Sequence, residues 1–279
     1  MTESNFGARI CTLKRIESSG CLRGEVTNIF DHSFNAKLDG KIWNLNLAED
    51  HLNPYSILVN ETTLKKVFGG MRVEIKHRRA RIGLFEGLID RDIFDPIQSD
   101  FFSVEFFLKN INLLRRILIK FGKRSAVTEA LFSNQKNSFF EPVHNLIEEL
   151  PYTNLNKFER FFGGGEGLTP AWDDFICGVI LADRFYGGAS IEVSKEFLKS
   201  IEKRTTAISF QSIELAAEGK SSLCIERIIS KMGCERIASA EFMRALSIGH
   251  SSGSDILSGV MACSEANHKK DSVGNLAVH

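Results

Sequence analysis

The sequence has little of what usually announces a function. Its six cysteines, Cys11, Cys21, Cys177, Cys224, Cys234 and Cys263, include no Cys-x-x-Cys pair, and none has a histidine at zinc-finger spacing. That argues against a structural zinc site of the common kinds. Excess charge is missing too: 35 Lys and Arg balance 35 Asp and Glu. Nucleic-acid binding rests on clustered positive charge, so no nucleic-acid partner is expected. The one basic run, Lys76-His77-Arg78-Arg79-Ala80-Arg81, falls between β-like segments and reads as a solvated turn and strand edge. An uncharged apolar span is absent, since residues 101–121 carry Glu105, Lys109, Arg115, Arg116 and Lys120, so no membrane partner is expected. The N-terminus shows no basic stretch leading into an apolar one, so the sequence reads as cytoplasmic, with buried, inert thiols. Tyrosine is scarce, at 3 against 22 phenylalanines, which favours apolar packing over polar-tipped recognition.

What remains is an ordinary globular composition, long enough at 279 residues for two domains. Residues 8–17, 22–30, 33–38, 41–47, 71–76 and 79–84 read as short strands between turn formers. Asp39-Gly40 between two of them is a two-residue hairpin signal. Residues 61–68 read as a short helix closed by Gly69-Gly70. Past Asp95-Pro96 the pattern turns helical. Asp100, Ser190, Thr205 or Thr206, and Ser222 stand where helices would open, while Gly122, Gly219 and Gly233 stand where they would stop. The tail from His268 reads as polar and frayed. The expected fold is α+β: a small β-barrel or sandwich-like domain over 1–95, then a mainly α-helical domain over 96–279.

Two segments, 163–178 and 249–259, carry chemistry-bearing residues. The first holds Gly163, Gly164, Gly165 and Gly167, then Thr169 as a helix cap and Pro170 as first helical residue, with Asp173 and Asp174 in the first turn. A bare backbone feeding a helix N-terminus favours an anion, although no Lys-Ser/Thr pair makes it a Walker loop. The second runs from Gly249 through His250, Ser251 and Ser252 to Asp255. Setting Asp174 over Asp255 sets Gly178 over Gly259 and Val179 over Val260, a weak repeat. Each glycine lies one turn along its aspartate's face, so the two helices are expected to cross closely and bring both entrances to one cleft. His250 beside two serines invites a nucleophile reading, but no Gly-x-Ser-x-Gly elbow accompanies it. A third helix entrance, Arg204, Thr205, Thr206 and Ser209, suits a carboxylate or phosphate.

In this order, the three segments resemble a bacterial family long catalogued as a domain of unknown function. It includes the AllH-type subunit of oxamate carbamoyltransferase (YlbF-like proteins). Its Gly-x-Gly-x-Gly-Leu-Thr-Pro-Ser-Gly-Asp-Asp-Phe-x-x-Gly motif matches Gly163 to Gly178. Its Gly-His-Thr/Ser-Ser-Gly-x-Asp motif matches Gly249 to Asp255, and its Arg-Thr-Thr…Ser segment matches Arg204 to Ser209. Asn53-Pro54-Tyr55-Ser56 fits a family turn more loosely. Trp172 stands where the family usually has glycine, and would crowd a ligand approaching the backbone there.

The resemblance implies carbamoyl transfer between an amide nitrogen (oxamate or oxalurate) and phosphate, in bacterial purine and allantoin catabolism. It also implies companion carbamoyltransferase subunits, and leaves room for an oligomer. On this reading Asp173, Asp174, Asp255 and His250 are the catalytic candidates. Gly163, Gly164, Gly165, Gly167, Thr169, Arg204, Thr205, Thr206, Ser209, Ser251 and Ser252 bind a small anionic substrate. No cofactor is assigned, and Mg²⁺ stays open. Two alternatives stand beside it: a hydrolase of a small phosphate or ureide with Mg²⁺ among Asp173, Asp174 and Asp255, and a non-catalytic metabolite-binding or assembly subunit.

Overall fold

The computed structural model describes residues 4–97, 99–132, 141–165, 167–187 and 190–274, which fall into two compact units divided after Ile97. The first unit is built from β1 (Ser4–Arg9), α1 (Ile10–Ser19), β2 (Cys21–Ile29), β3 (Ser33–Leu38), β4 (Lys41–Asn46), β5 (Ser56–Leu58), α2 (Glu61–Leu64), β6 (Arg72–Lys76), β7 (Arg79–Ile82) and β8 (Phe85–Ile93). The strands close into a barrel in the order β1-β5-β4-β3-β2-β6-β7-β8, with β1–β8 and β4–β5 parallel and the other pairs antiparallel. Inward residues fill its interior, among them Phe6, Phe34, Trp43, Ile57, Ile75 and Ile89. Closure leaves no open sheet edge.

The expected hairpin at Asp39-Gly40 joins β3 to β4, with φ of 45° and 84° at its two corner residues. Both values suit the turn that matches strand twist. The basic run is the β6–β7 hairpin. Its charges are met on the same face: Arg79 and Arg81 at Glu86, 3.3 and 3.2 Å, and Arg78 at Asp92, 2.7 Å.

Three expectations for this unit change. Residues 10–17 are helical, because Leu13 and Ile16 recur at helical spacing on the buried face of α1. The helix expected over 61–68 stops at Leu64, and Asn60 caps its start by accepting the Thr63 N–H at 2.9 Å. Strands β5 and β8 escape the sequence reading. The first is three residues long, and the second alternates Gly87 and Ile89 with Glu86 and Asp90, so its outer face reads as loop. Arg9, fully buried, grips Asp95 at 2.7 Å and so ties the end of the unit to its first strand.

The second unit is helical: α3 (Val104–Phe121), α4 (Ala126–Phe132), α5 (Glu141–Glu149), a 3₁₀ stretch (Leu155–Phe161), α6 (Ala171–Ala182), a π turn (Asp183–Gly187), α7 (Lys195–Ile201), α8 (Ala207–Ala217), α9 (Leu223–Lys231), α10 (Ser239–Leu246) and α11 (Ser252–Gly274). Every residue of α6 is buried, so it is the central helix, packed on α8 and α11. Among the described residues no helix is long and apolar enough to cross a membrane.

Cap positions shift where a nearer hydroxyl competes. Ser103 rather than Asp100 opens α3, its Oγ accepting the Phe106 N–H at 3.4 Å, and Ser194 rather than Ser190 opens α7. Thr206 caps α8 as expected, accepting the Ser209 N–H at 3.1 Å. Helix α11 continues through His268 to Gly274, where a frayed tail was expected, because Cys263, Ser264 and Asn267 are buried along it.

Candidate functional site

The site follows from the crossing of α6 and α11. A Cβ built on Gly178 would stand 1.9 Å from Ile256 O, and one on Gly259 would stand 2.1 Å from Phe175 O. Only glycine at both positions lets the backbones meet. The register is the one that the sequence repeat implies, so the two helix entrances lie together: Thr169 Oγ1 and Ser252 Oγ are 2.7 Å apart. The cap of α6 falls one residue later than expected, at Pro170. Thr169 is thereby freed from capping, and its hydroxyl goes to Ser252.

Successive helical residues point about 100° apart, which sends Asp173 and Asp174 to different neighbours. Asp173 faces the glycine loop, accepting the Gly163 N–H at 2.9 Å and the Thr205 hydroxyl. Burial raises its pKa, and those two bonds together with the nearby Ser209 work against the rise. Gly163 has φ of 79°, and a Cβ there would lie 2.1 Å from Arg204 O. The loop and the 204–206 segment therefore fit only with glycine at that point. Thr206 adds a hydrogen bond to Leu168 O at 2.6 Å.

Asp174 faces α11. The Ser252 and Thr169 hydroxyls work against the rise of its pKa, while Oδ2, buried, has no hydrogen-bond partner among the described residues. Burial lifts its pKa to about 8, and the nearby Asp255 charge adds to the effect. Asp255, in the first turn of α11, is fully buried. The Ser125 hydroxyl donates to its Oδ1 at 2.5 Å, the Ser251 hydroxyl works against the rise of its pKa, and Oδ2 has no hydrogen-bond partner among the described residues. Burial lifts this pKa to about 7. One turn along, Ser258 is buried, and its hydroxyl has no hydrogen-bond partner among the described residues.

The structure thus divides the sequence candidates. Asp174, Asp255, Thr169, Ser251 and Ser252 come together at the crossing, and Asp173, Thr205, Gly163 and Ser209 form a neighbouring cluster that braces the loop. Gly164 spends its N–H on Phe161 O at 2.9 Å, while Gly165 and Gly167 adopt φ of 132° and 85° on the exposed part of the loop. Glu166, within the same motif, lies outside the described residues. Arg204 pairs with Glu159 at 2.9 Å and is half exposed, and His250 is exposed on the turn before α11. Trp172 lies about 200° around the helix from Asp174 and packs among Phe158, Phe161, Phe162 and Phe175 instead of over the carboxyls.

The Mg²⁺ arrangement of Asp173, Asp174 and Asp255 does not form. Among the described residues no three His, Cys, Asp or Glu side chains are grouped to hold a metal ion, and both Asp173 oxygens are already engaged. Sequence reasoning missed Ser125 and Ser258. A Ser125-x-x-Thr128 pair opening α4 was the one available sign of the former, since Ser125 Oγ accepts the Thr128 N–H at 3.1 Å.

Residues 161–264 match the model of the family described as oxamate carbamoyltransferase subunit AllH, so the resemblance carried by the motifs holds over that segment. The match takes in the glycine loop, the 204–209 segment and both helix entrances. No solved structure matches the chain.

Proposed function

From a segment that carries the AllH match, and from a helix crossing that buries two carboxyl oxygens with no partner among the described residues, we propose a role for the chain. It serves as a subunit of an oxamate carbamoyltransferase and holds a small amide-bearing anion at the joint entrance of α6 and α11. The observation that carries this reading is the pair of orphaned oxygens, Asp174 Oδ2 and Asp255 Oδ2. A buried oxygen left unpaired costs about 1–3 kcal/mol, and an amide N–H or a ligand hydroxyl would recover it. Carboxyl groups titrating near neutrality can each carry or release a proton.

Carbamoyl transfer to an amide nitrogen forms one C–N bond, breaks the C–O bond to phosphate and releases one proton from the nitrogen. An ionised Asp255 suits the acceptance of that proton, and a protonated Asp174 suits donation to the developing carbonyl oxyanion. The positive end of α6 and the exposed loop backbone at Gly165 and Gly167 suit the anionic end. Arg204 is left out of this set, because its guanidinium is already paired with Glu159.

Calorimetric titration of the purified chain with oxamate tests the proposal. Saturable binding is expected, weakened about ten- to hundredfold by Asp174→Ala or Asp255→Ala while circular dichroism holds. Equal binding by parent and variants removes the site. Efficient carbamoyl transfer by the chain alone removes the need for companion subunits.

A further inference from the structure

Ser125 lies outside the matched segment, on the turn leading into α4, yet it reaches the centre of the site. Its Oγ accepts the Thr128 N–H at 3.1 Å and its hydroxyl donates to Asp255 Oδ1 at 2.5 Å. The same turn sends the Lys123 N–H to Ser254 Oγ at 2.9 Å, so two consecutive residues of the first turn of α11 are tied to it. A carboxylate gripped through one oxygen by a fixed donor has the direction of its other oxygen fixed as well. That other oxygen, Asp255 Oδ2, is the buried, unpartnered one.

We propose that Ser125 is a positioning residue of the α6–α11 site, locking Asp255 through Oδ1 so that Oδ2 is left to accept the ligand's N–H. The inference rests on the site reading given above. It also distinguishes the two carboxyls. A hydroxyl has one proton to give. Thr169 and Ser252 hydrogen-bond to each other, and their hydroxyls work against the rise of the Asp174 pKa. Asp255 accepts the Ser125 hydroxyl proton at Oδ1, and Ser251 also works against the rise of its pKa. The Ser125 donor favours the ionised form of Asp255, which suits Asp255 as the base and Asp174 as the acid. Ionisable groups on the surrounding elements are Asp173, Asp174 and Cys177 of α6, Glu105, Lys109, Arg115, Arg116 and Lys120 of α3, Lys123, Arg124 and Glu129 around α4, Glu141, His144, Glu148 and Glu149 of α5, Asp183, Arg184 and Tyr186 of the π turn, Glu241 and Arg244 of α10, and His250. Arg124 is paired with Glu129, and among the described residues no basic side chain pairs with Asp255.

The test is the titration of the Asp255 carboxyl, followed by carbon NMR of aspartate-labelled chain and assigned with Asp255→Asn. Ser125→Ala should raise its midpoint by about one pH unit, a tenfold change in proton affinity, while Ser125→Thr restores it. Thr128→Val removes the bonds of the Thr128 hydroxyl, which accepts the Ser125 N–H and donates to Lys123 O, and spares the Ser125–Asp255 bond, so it should lower the melting temperature without moving the midpoint. An unmoved midpoint in folded Ser125→Ala, or an equal shift in Thr128→Val, overturns the proposal. Should Ser125→Ala fail to fold, Ser125→Cys, whose thiol donates weakly, is read in the same way. Oxamate affinity should fall about tenfold in Ser125→Ala. A parent chain that binds no oxamate defeats the functional reading, and the titration still decides what Ser125 does.

Discussion

Gly178 and Gly259 face each other across the α6–α11 crossing in a reciprocal way. Each would drive an added methyl into a backbone carbonyl of the other helix, at 1.9 Å from Ile256 O and 2.1 Å from Phe175 O. Phe175 precedes Gly178 by the same interval as Ile256 precedes Gly259, so the crossing has an approximate two-fold relation. Because both aspartates stand one turn before their glycine, the relation that packs the helices also pairs the carboxyls.

Alanine at either glycine should therefore destabilise the chain by about 2–3 kcal/mol, since a backbone oxygen cannot swing aside. Urea unfolding measures this. The double substitution should cost less than the sum, because one separation of the helices relieves both clashes. Single variants within experimental error of the parent would mean that the helices have room to spare.

Stability should fall as pH rises. Asp174 and Asp255 bind protons more tightly folded than unfolded, their pKa values being raised to about 8 and about 7. Their contribution is full below the ordinary carboxylate pKa and is lost as pH climbs through those folded values. Each can supply a slope of roughly 1 kcal/mol per pH unit. Asp174→Asn and Asp255→Asn should each flatten the curve between pH 5 and 8, and gain on the parent toward pH 8. Curves parallel to the parent's would contradict the sign.

Trp172→Gly, which restores the residue that the resembling family carries, should cost about 3–5 kcal/mol from the emptied aromatic cluster. A glycine in a helix adds about 1 kcal/mol more. The near-ultraviolet circular dichroism should weaken along with the melting temperature. Unchanged stability, or tighter oxamate binding, would mean that the indole crowds the ligand after all.

Asp173→Ala should loosen the glycine loop, because the Gly163 N–H and the Thr205 hydroxyl lose their acceptor. Hydrogen exchange at Gly163 should accelerate about tenfold or more, for a loss of about 1–3 kcal/mol. Asp174→Ala should leave that amide unaffected. The reverse pattern would exchange the roles of the two acids.

Sequence patterns revealed the features that local chemistry decides. The Asp39-Gly40 hairpin, the helical half and the close crossing all follow from residue types at short spacing, and the repeat set the α6–α11 register before any coordinates. Features decided by distant partners were not legible. Ser125 meets Asp255 across 130 residues, and nothing near Ser125 says so. Helix α1 was hidden because Ile10, Leu13 and Ile16 also pass for a strand when the intervening residues are short or amphipathic. Adjacent Asp173 and Asp174 looked interchangeable on paper, and only the helix rotation separates the one that braces the loop from the one that faces α11.

The seam of the barrel sets an order of birth. Phe6 pairs with Ile89, and Arg9 with Ile93, so the opening strand waits for the closing one. During translation the edge of β1 stays uncovered until β8 has emerged from the ribosome. Local hairpins such as β3–β4 and β6–β7 can form early, but the ring cannot shut until the last of its strands arrives. For that interval the nascent chain offers a bare strand edge to whatever lies nearby, and chaperone contact is most valuable then.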